Sequence, residues 1–193
     1  MLEVVNMRGV VNMRKVILYI ATSLDGYIAE EDGSVSFLDE ISSVFKNEQE
    51  DDYNTFYDTI DTIIMGNSTY VQIANELSPN EWYYKGKECY VYSNIINEIT
   101  ENVKYTNLEP KKLIEQIGRE KDKKDIWIVG GGDIVKLFMK DNLIDDYYIY
   151  ILPIILGRGI SLFKSGIDKT NLNFKKASNI GELVKLEYSK KQK

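Results

Sequence analysis

Ile126-Trp127-Ile128-Val129-Gly130-Gly131-Gly132-Asp133-Ile134-Val135-Lys136-Leu137-Phe138 reads as three pieces in succession. Ile126 to Val129 is a short apolar run of strand type. Three glycines follow, and then Ile134, Leu137 and Phe138 fall at helical i, i+3, i+4 spacing with Asp133 placed as a helix N-cap. A glycine turn between a buried strand and a helix lets a ligand's phosphates lie against bare backbone N–H groups at the positive end of the helix. The stretch therefore points to a strand–turn–helix unit and to a phosphate-bearing ligand of nucleotide type. A glycine-tightened turn with no ligand is the competing reading, because a lone glycine cluster carries limited information.

Working outward, the same pattern recurs. Ile64-Met65-Gly66-Asn67-Ser68-Thr69-Tyr70 is again an apolar run, a glycine, and a polar start to a helix carrying Tyr70, Ile73 and Ala74. Two helix starts aimed at one crevice beyond the carboxyl ends of an open sheet suit a pyrophosphate, with Ser68 and Thr69 as hydroxyl donors. A simple helix cap at Gly66–Thr69 is the alternative.

The remaining elements alternate. Strands are expected at Lys15–Ala21, Thr62–Met65, Glu88–Tyr92 and Asp125–Val129, and helices at Gln49–Ile60 and Glu109–Ile117, the latter with Pro110 in its first turn. After the helix at Phe138, strand-like runs follow without comparable helices: Asp146–Leu156, Gly159–Phe163 and Leu183–Ser189. This order predicts an α/β fold with a mostly parallel central sheet flanked by helices and finished by antiparallel C-terminal strands. Val4-Val5-Asn6-Met7-Arg8-Gly9 is nearly repeated as Val10-Val11-Asn12-Met13-Arg14-Lys15. Residues 1–12 are accordingly read as an N-terminal extension and 13–193 as one domain.

Composition removes much competing chemistry. The chain has no histidine and a single cysteine, Cys89. Ser-His-Asp triads, Cys-His dyads and histidine-ligated zinc are excluded within the polypeptide, and no metal site is expected. One cysteine allows no internal disulfide, so a cytoplasmic location is expected. The net charge of −6 at pH 7 argues against a nucleic-acid partner, and no apolar run has the length of a membrane span. Carboxylates, tyrosines, lysines and backbone dipoles remain, a set that suits hydride transfer from a bound cofactor.

Together, Tyr19-Ile20-Ala21-Thr22-Ser23-Leu24-Asp25-Gly26-Tyr27-Ile28-Ala29, the Gly66 turn and the triple glycine resemble the dihydrofolate reductase-like superfamily. Within it they are most similar to the branch of the bifunctional riboflavin-biosynthesis deaminase/reductase. The resemblance runs from about Met13 to the C-terminus. It implies an NADPH-dependent reductase, a small pterin-like or pyrimidine-like heterocyclic substrate, and a homodimer. It places Ala21, Gly66, Asn67, Ser68, Thr69, Gly130, Gly131, Gly132 and Asp133 along the cofactor, with Ser93 near its adenosine end. Thr22–Ile28 would cover the nicotinamide. Asp25 matches the loop acid of the riboflavin-type reductases, and Asp52, one turn before Phe56, is the candidate for the helix carboxylate of dihydrofolate reductases; both are thus candidate catalytic residues.

Asn67 stands where the family places a cation for the 2′-phosphate, so NADH is also an expected cofactor. Val129 stands where riboflavin-type enzymes often carry an acid. Two other readings stay open: a Rossmann-type dehydrogenase built on the triple glycine, and a nucleotide-binding sensor that keeps the fold without catalysis.

Overall fold

A computed structural model describes residues 3–6, 9–38, 46–95, 102–119 and 123–191, with side chains described from residue 13 onward and, in the first helix, from residue 51. In chain order, β1 (Glu3–Asn6) and β2 (Gly9–Asn12) form a hairpin paired only with itself. Then come β3 (Val16–Thr22), β4 (Tyr27–Ala29), α1 (Lys46–Tyr57), β5 (Ile60–Gly66) and α2 (Asn67–Gln72), which runs on into a π-turn over Ile73–Leu77. β6 (Glu88–Tyr92), β7 (Val103–Thr106), α3 (Pro110–Ile117), β8 (Asp125–Gly130) and α4 (Gly132–Lys140) follow. The chain closes with β9 (Asp146–Ile151), β10 (Ile160–Ser161), β11 (Leu172–Ile180) and β12 (Leu183–Lys190).

The main sheet has eight strands in the order β11-β12-β9-β3-β8-β5-β6-β7. The run from β9 to β7 is parallel throughout, and β12 and β11 add antiparallel at one edge. β8 enters late in the chain yet lies between β3 and β5, with Ile17 opposite Trp127 and Ile63 opposite the same residue. That insertion makes the carboxyl ends of β3, β8 and β5 the switch point of the sheet, where an α/β fold opens a crevice.

Alternation along the strands gives the sheet two apolar faces. Leu18, Ile64, Ile126 and Ile128 pack under α3 and α4, which bury Leu113, Ile117, Val135 and Phe138. Each such side chain stabilises by about 1.5–3 kcal/mol through the water it sheds. The opposite face carries Ile17, Ile63, Met65 and Trp127 beneath Phe56 of α1 and Ile73 of the π-turn after α2. Cys89 sits fully buried in this cluster, and burial pushes its thiol up to about 12, so it is inert packing. At the amino end of the sheet the buried Arg14 donates to the Ile117 carbonyl at 3.1 Å, to Thr62 Oγ1 and to Asp61, tying β3 to α3 and β5.

Several boundaries differ from expectation. The first helix ends at Tyr57, and Ile60, expected on its apolar face, instead begins β5. The run through Leu156 stops at Ile151, just before Pro153, whose ring removes a ladder donor. Gly159–Phe163 yields only Ile160–Ser161, which pairs with β4 outside the main sheet. β7 and β11 carry no clear periodicity and emerge only from pairing with β6 and β12.

Candidate active site

The two glycine turns meet. The first donors of α2 and of α4 have no side-chain cap, the N-caps being Gly66 and Gly131. The Gly131 carbonyl accepts from Ile134 and Val135 at 3.0 and 3.1 Å, and among the described residues the cap position makes no side-chain hydrogen bond to the start of α4. A Cβ placed on Gly66 would come within 3.2 Å of Ile134 on α4, and one placed on Gly131 would come within 3.6 Å of Thr69 Oγ1 on α2. Each turn is therefore packed against the helix of the other. Gly130 holds φ +135°, a region closed to L side chains, and its peptide to Gly131 is cis. Gly132 faces the Ser161 carbonyl so closely that a Cβ would lie 2.5 Å from it. Asp133, expected as the N-cap, is instead one residue inside the helix and pairs with Lys164 at 2.8 Å. Gly131, two residues earlier, already supplies the extended cap conformation.

Around these turns lies an open cleft of about 1930 Å³. Ala21, Gly66, Asn67, Ser68, Thr69 and Ser93 line it, as do Gly130, Gly131, Gly132 and Asp133. All the expected cofactor-side positions are thus brought to one surface. One end is formed by Ser93 and Asn94 after β6 and by Asn107–Pro110 at the start of α3. The other runs between α1 and α2 over β8, walled by Tyr53, Tyr83, Tyr84 and Trp127.

Among the described residues, three polar side-chain atoms of the cleft are buried without a hydrogen-bond partner: Asn67 Oδ1 and the hydroxyls of Tyr53 and Tyr92. Unmet polar groups of this kind in a concave surface are what a bound polar ligand satisfies. Burial raises the Tyr53 hydroxyl far above its ordinary value, with Tyr83 and Tyr84 beside it adding to the shift, so the phenol stays protonated and able to donate.

Neither expected catalytic carboxylate lines the cleft. Asp25 accepts from Ser23 Oγ at 2.6 Å and from the backbone N–H groups of Leu156 and Gly157 at 3.1 and 2.7 Å. The Ser23 hydroxyl, with these N–H groups, holds its carboxyl below the usual range. It clasps the β3–β4 loop to the loop after β9. Asp52 points away from the cleft, accepting from Lys185 Nζ at 2.9 and 3.0 Å and from the Tyr150 hydroxyl. Its neighbour Tyr53 is the α1 residue that reaches the cleft.

Lys164 is the residue that local sequence reading misses. It is the one lysine or arginine among the described residues lining the cleft, and its Cε lies 3.3 Å from where a Cβ of Gly132 would be. No pattern around it announces this, since only the packing of β10 against α4 brings it to the glycine turn. Neither Lys104 nor Lys111 supplies a cation beside Asn67. Lys104 pairs with Glu88, Lys111 is exposed away from the cleft, and the side chain of Lys46 lies outside the described residues. Among the described residues no acid–thiol cluster could hold a metal ion, and no helix is long and apolar enough to cross a membrane.

The RibD C-terminal domain model matches residues 90–186, half of the chain including both β8 and the glycine turn. The chain belongs to the RibD C-terminal domain family. It is 39% identical over 178 residues to the uncharacterized protein YwjB of Bacillus subtilis strain 168, covering 91% of this chain and 97% of that one. Among solved structures, a Shewanella sp. PV-4 protein provisionally named for riboflavin biosynthesis superposes with a TM-score of 0.75 at 26% identity, covering 92% of this chain and 99% of its own. The Thermotoga maritima diaminohydroxyphosphoribosylaminopyrimidine deaminase/5-amino-6-(5-phosphoribosylamino)uracil reductase shares the fold at a TM-score of 0.67 and 13% identity. This RibD-like chain covers 57% of that longer protein. The mostly parallel sheet with antiparallel closing strands is thus the reductase-like fold of the riboflavin-pathway family, as the sequence resemblance implied.

Proposed function

We propose that the protein is an NAD(P)H-dependent reductase that passes hydride to a pterin-like or pyrimidine-like heterocycle. The observation that carries this reading is the meeting of two uncapped helix starts, Gly66–Thr69 and Gly131–Asp133, at the switch point of the sheet. Backbone N–H groups and helix dipoles converge there on a space lined by glycine and hydroxyl groups, which fits a pyrophosphate. Lys164 adds a cation at the same turn, held in place by Asp133. Asn67 Oδ1 and the Tyr92 hydroxyl give unmet polar groups along the path from the turns toward Ser93.

When bound, the reduced nicotinamide supplies the hydride. The chain's part is to bind, orient and exclude water. Ala21, at the end of β3, leaves room for a flat ring beside the strand, and Trp127, Tyr53 and Tyr84 offer ring faces and edges to a second flat ring. The neutral Tyr53 hydroxyl can donate to a ring nitrogen or carbonyl.

The test is loss of absorbance at 340 nm when NADPH or NADH is mixed with the protein and a panel of pteridines and pyrimidines. Turnover with any of them supports the reductase. Dinucleotide binding with no oxidation across the panel favours a sensor that has kept the fold.

A further inference from the structure

We propose that Tyr53 anchors the substrate ring by donating its hydroxyl proton to a ring carbonyl, so that the site takes an oxo heterocycle in preference to its amino counterpart. The inference rests on the reading of the cleft as a dinucleotide-dependent reductase site and adds which edge of the ring that site holds.

The half of the cleft between α1 and α2 is the half left for a substrate once the glycine turns take a pyrophosphate. Helix α1 turns by about 100° per residue, so Asp52 and Tyr53 leave it in different directions. Asp52 is taken up by Lys185 and the Tyr150 hydroxyl, whereas Tyr53 lines the cleft with Tyr84 and Trp127. Three rings fix its direction. Tyr57, one turn further along α1, stacks on it at 5.5 Å and 26°, while Tyr19 and Trp127 meet it edge to face at 6.2 and 6.1 Å. Trp127 is itself pinned, its indole N–H donating to the Tyr19 carbonyl at 2.9 Å. Held this way, the Tyr53 hydroxyl is buried and has no hydrogen-bond partner. An unpaired buried donor is destabilising, and a concave site keeps one where a ligand completes the bond.

Tyr83 stands beside the hydroxyl without completing a hydrogen bond to it. At 57% exposure it is the least buried ring of the wall, resting edge to face on Tyr84 at 5.0 Å. Its displacement opens the hydroxyl to an entering ring, which then lies against Tyr84 and Trp127. A phenol donates better than it accepts, because the aromatic ring draws on the oxygen lone pairs, and burial here keeps the proton in place. A ring carbonyl completes that bond. An exocyclic amino group at the same ring position brings N–H donors instead, which sets donor against donor and leaves the hydroxyl unpaired. A site built around one buried hydrogen bond rejects the mismatched analogue for this reason.

The experiment uses the full chain and two rings of one shape, lumazine (pteridine-2,4-dione) and 2,4-diaminopteridine, in equilibrium dialysis at neutral pH. Lumazine should bind at least about fivefold more tightly, the scale of one mismatched hydrogen bond. In Tyr53→Phe the two rings should bind within about twofold of each other, through a fall in lumazine affinity, while Tyr83→Phe keeps the gap. Thermal unfolding of the unliganded proteins gives a readout that a structural hydroxyl would move the other way. Tyr53→Phe should melt no lower than the unmodified protein, because the hydroxyl it removes has no partner to lose. Equal or tighter binding of the diamine, a gap that survives in Tyr53→Phe, a lower melting point in that variant, or no binding of lumazine overturns the proposal. NADPH titrated into the same samples reads the parent claim separately. A lumazine preference without any dinucleotide binding removes the reductase reading alone, and dinucleotide binding without the preference removes this proposal alone.

Discussion

Thr69 Oγ1 stands 3.6 Å from the point where a side-chain carbon on Gly131 would begin. Ile28 Cδ1 is 4.0 Å from the same point, so a first carbon fits in ordinary contact while anything beyond it enters the crevice. Gly131 itself has φ −75°, and the positive φ of the turn belongs to Gly130. The glycine at 131 is therefore not required by its own φ.

Gly131→Val should abolish dinucleotide binding while the protein stays folded. The branch methyls would occupy the gap between the two helix starts, and replacing a glycine N-cap with valine costs about 1 kcal/mol of stability. Fluorescence titration of NADPH alongside circular dichroism checks both halves. Unchanged affinity in a folded variant would take this turn out of the site.

Cofactor choice should be weakly discriminated. No described cation lies beside Asn67, and Glu109 stands at the far end of the cleft with Asn107. NADPH and NADH should bind within about tenfold of each other, or 1.4 kcal/mol. Asn67→Arg should shift preference toward NADPH through tighter NADPH binding, by an amount that shrinks with salt. Calorimetric dissociation constants at two ionic strengths measure it. A hundredfold preference in the unmodified protein would contradict the claim and point to Lys46 as the cation.

The two carboxylates taken from sequence should behave as structural groups. Asp25→Asn should leave hydride transfer well short of the roughly hundredfold loss that removing a general acid causes. Asp52→Ala should lower stability by about 2 kcal/mol, less than for a fully buried pair because its side chain is 27% exposed. It leaves Lys185, only 10% exposed, facing Glu187 at 3.6 Å. Single-turnover rates and denaturant unfolding of the two variants separate catalysis from support. A rate loss at Asp25 of a hundredfold or more with unchanged stability would return it to the chemistry.

Acid sensitivity should come in part from Asp146. Burial alone would raise its carboxyl, but Lys15 and Lys175, at 2.8 and 2.6 Å, outweigh that and hold it below its ordinary value. A depressed folded pKa gives stability that is present above the unfolded value, near about 4, and is lost as pH falls through the folded one. Asp146→Asn should thus be less stable at neutral pH and lose less stability between about pH 4 and 2. Urea midpoints across that range test it, and parallel curves for the two proteins would refute it.

What the sequence showed plainly was local. Glu88–Tyr92 and the start of the helix at Pro110 follow from apolar runs and a proline, signals contained within a few residues. The glycine turns were legible for the same reason, although Asp133 was misplaced as a cap because its type suits one and Gly131, two residues earlier, does not announce itself. What was hidden depends on distance along the chain. Asp52 meets Lys185 across 133 residues, and Lys164 meets Asp133 across 31. Neither pairing has a spacing that a single sequence can display, so the Lys185 partner of the candidate carboxylate Asp52 and the lysine at the glycine turn both went unseen.

The central claim is that the two helix starts form a single phosphate site. The most direct measurement is the backbone amide spectrum of the uniformly ¹⁵N-labelled protein during titration with NADPH. The account predicts saturable shifts at Asn67, Ser68, Gly132 and Asp133 together, with one common dissociation constant, lost in Gly131→Val. Binding that leaves these four amides unmoved, or moves one helix start without the other, would contradict it.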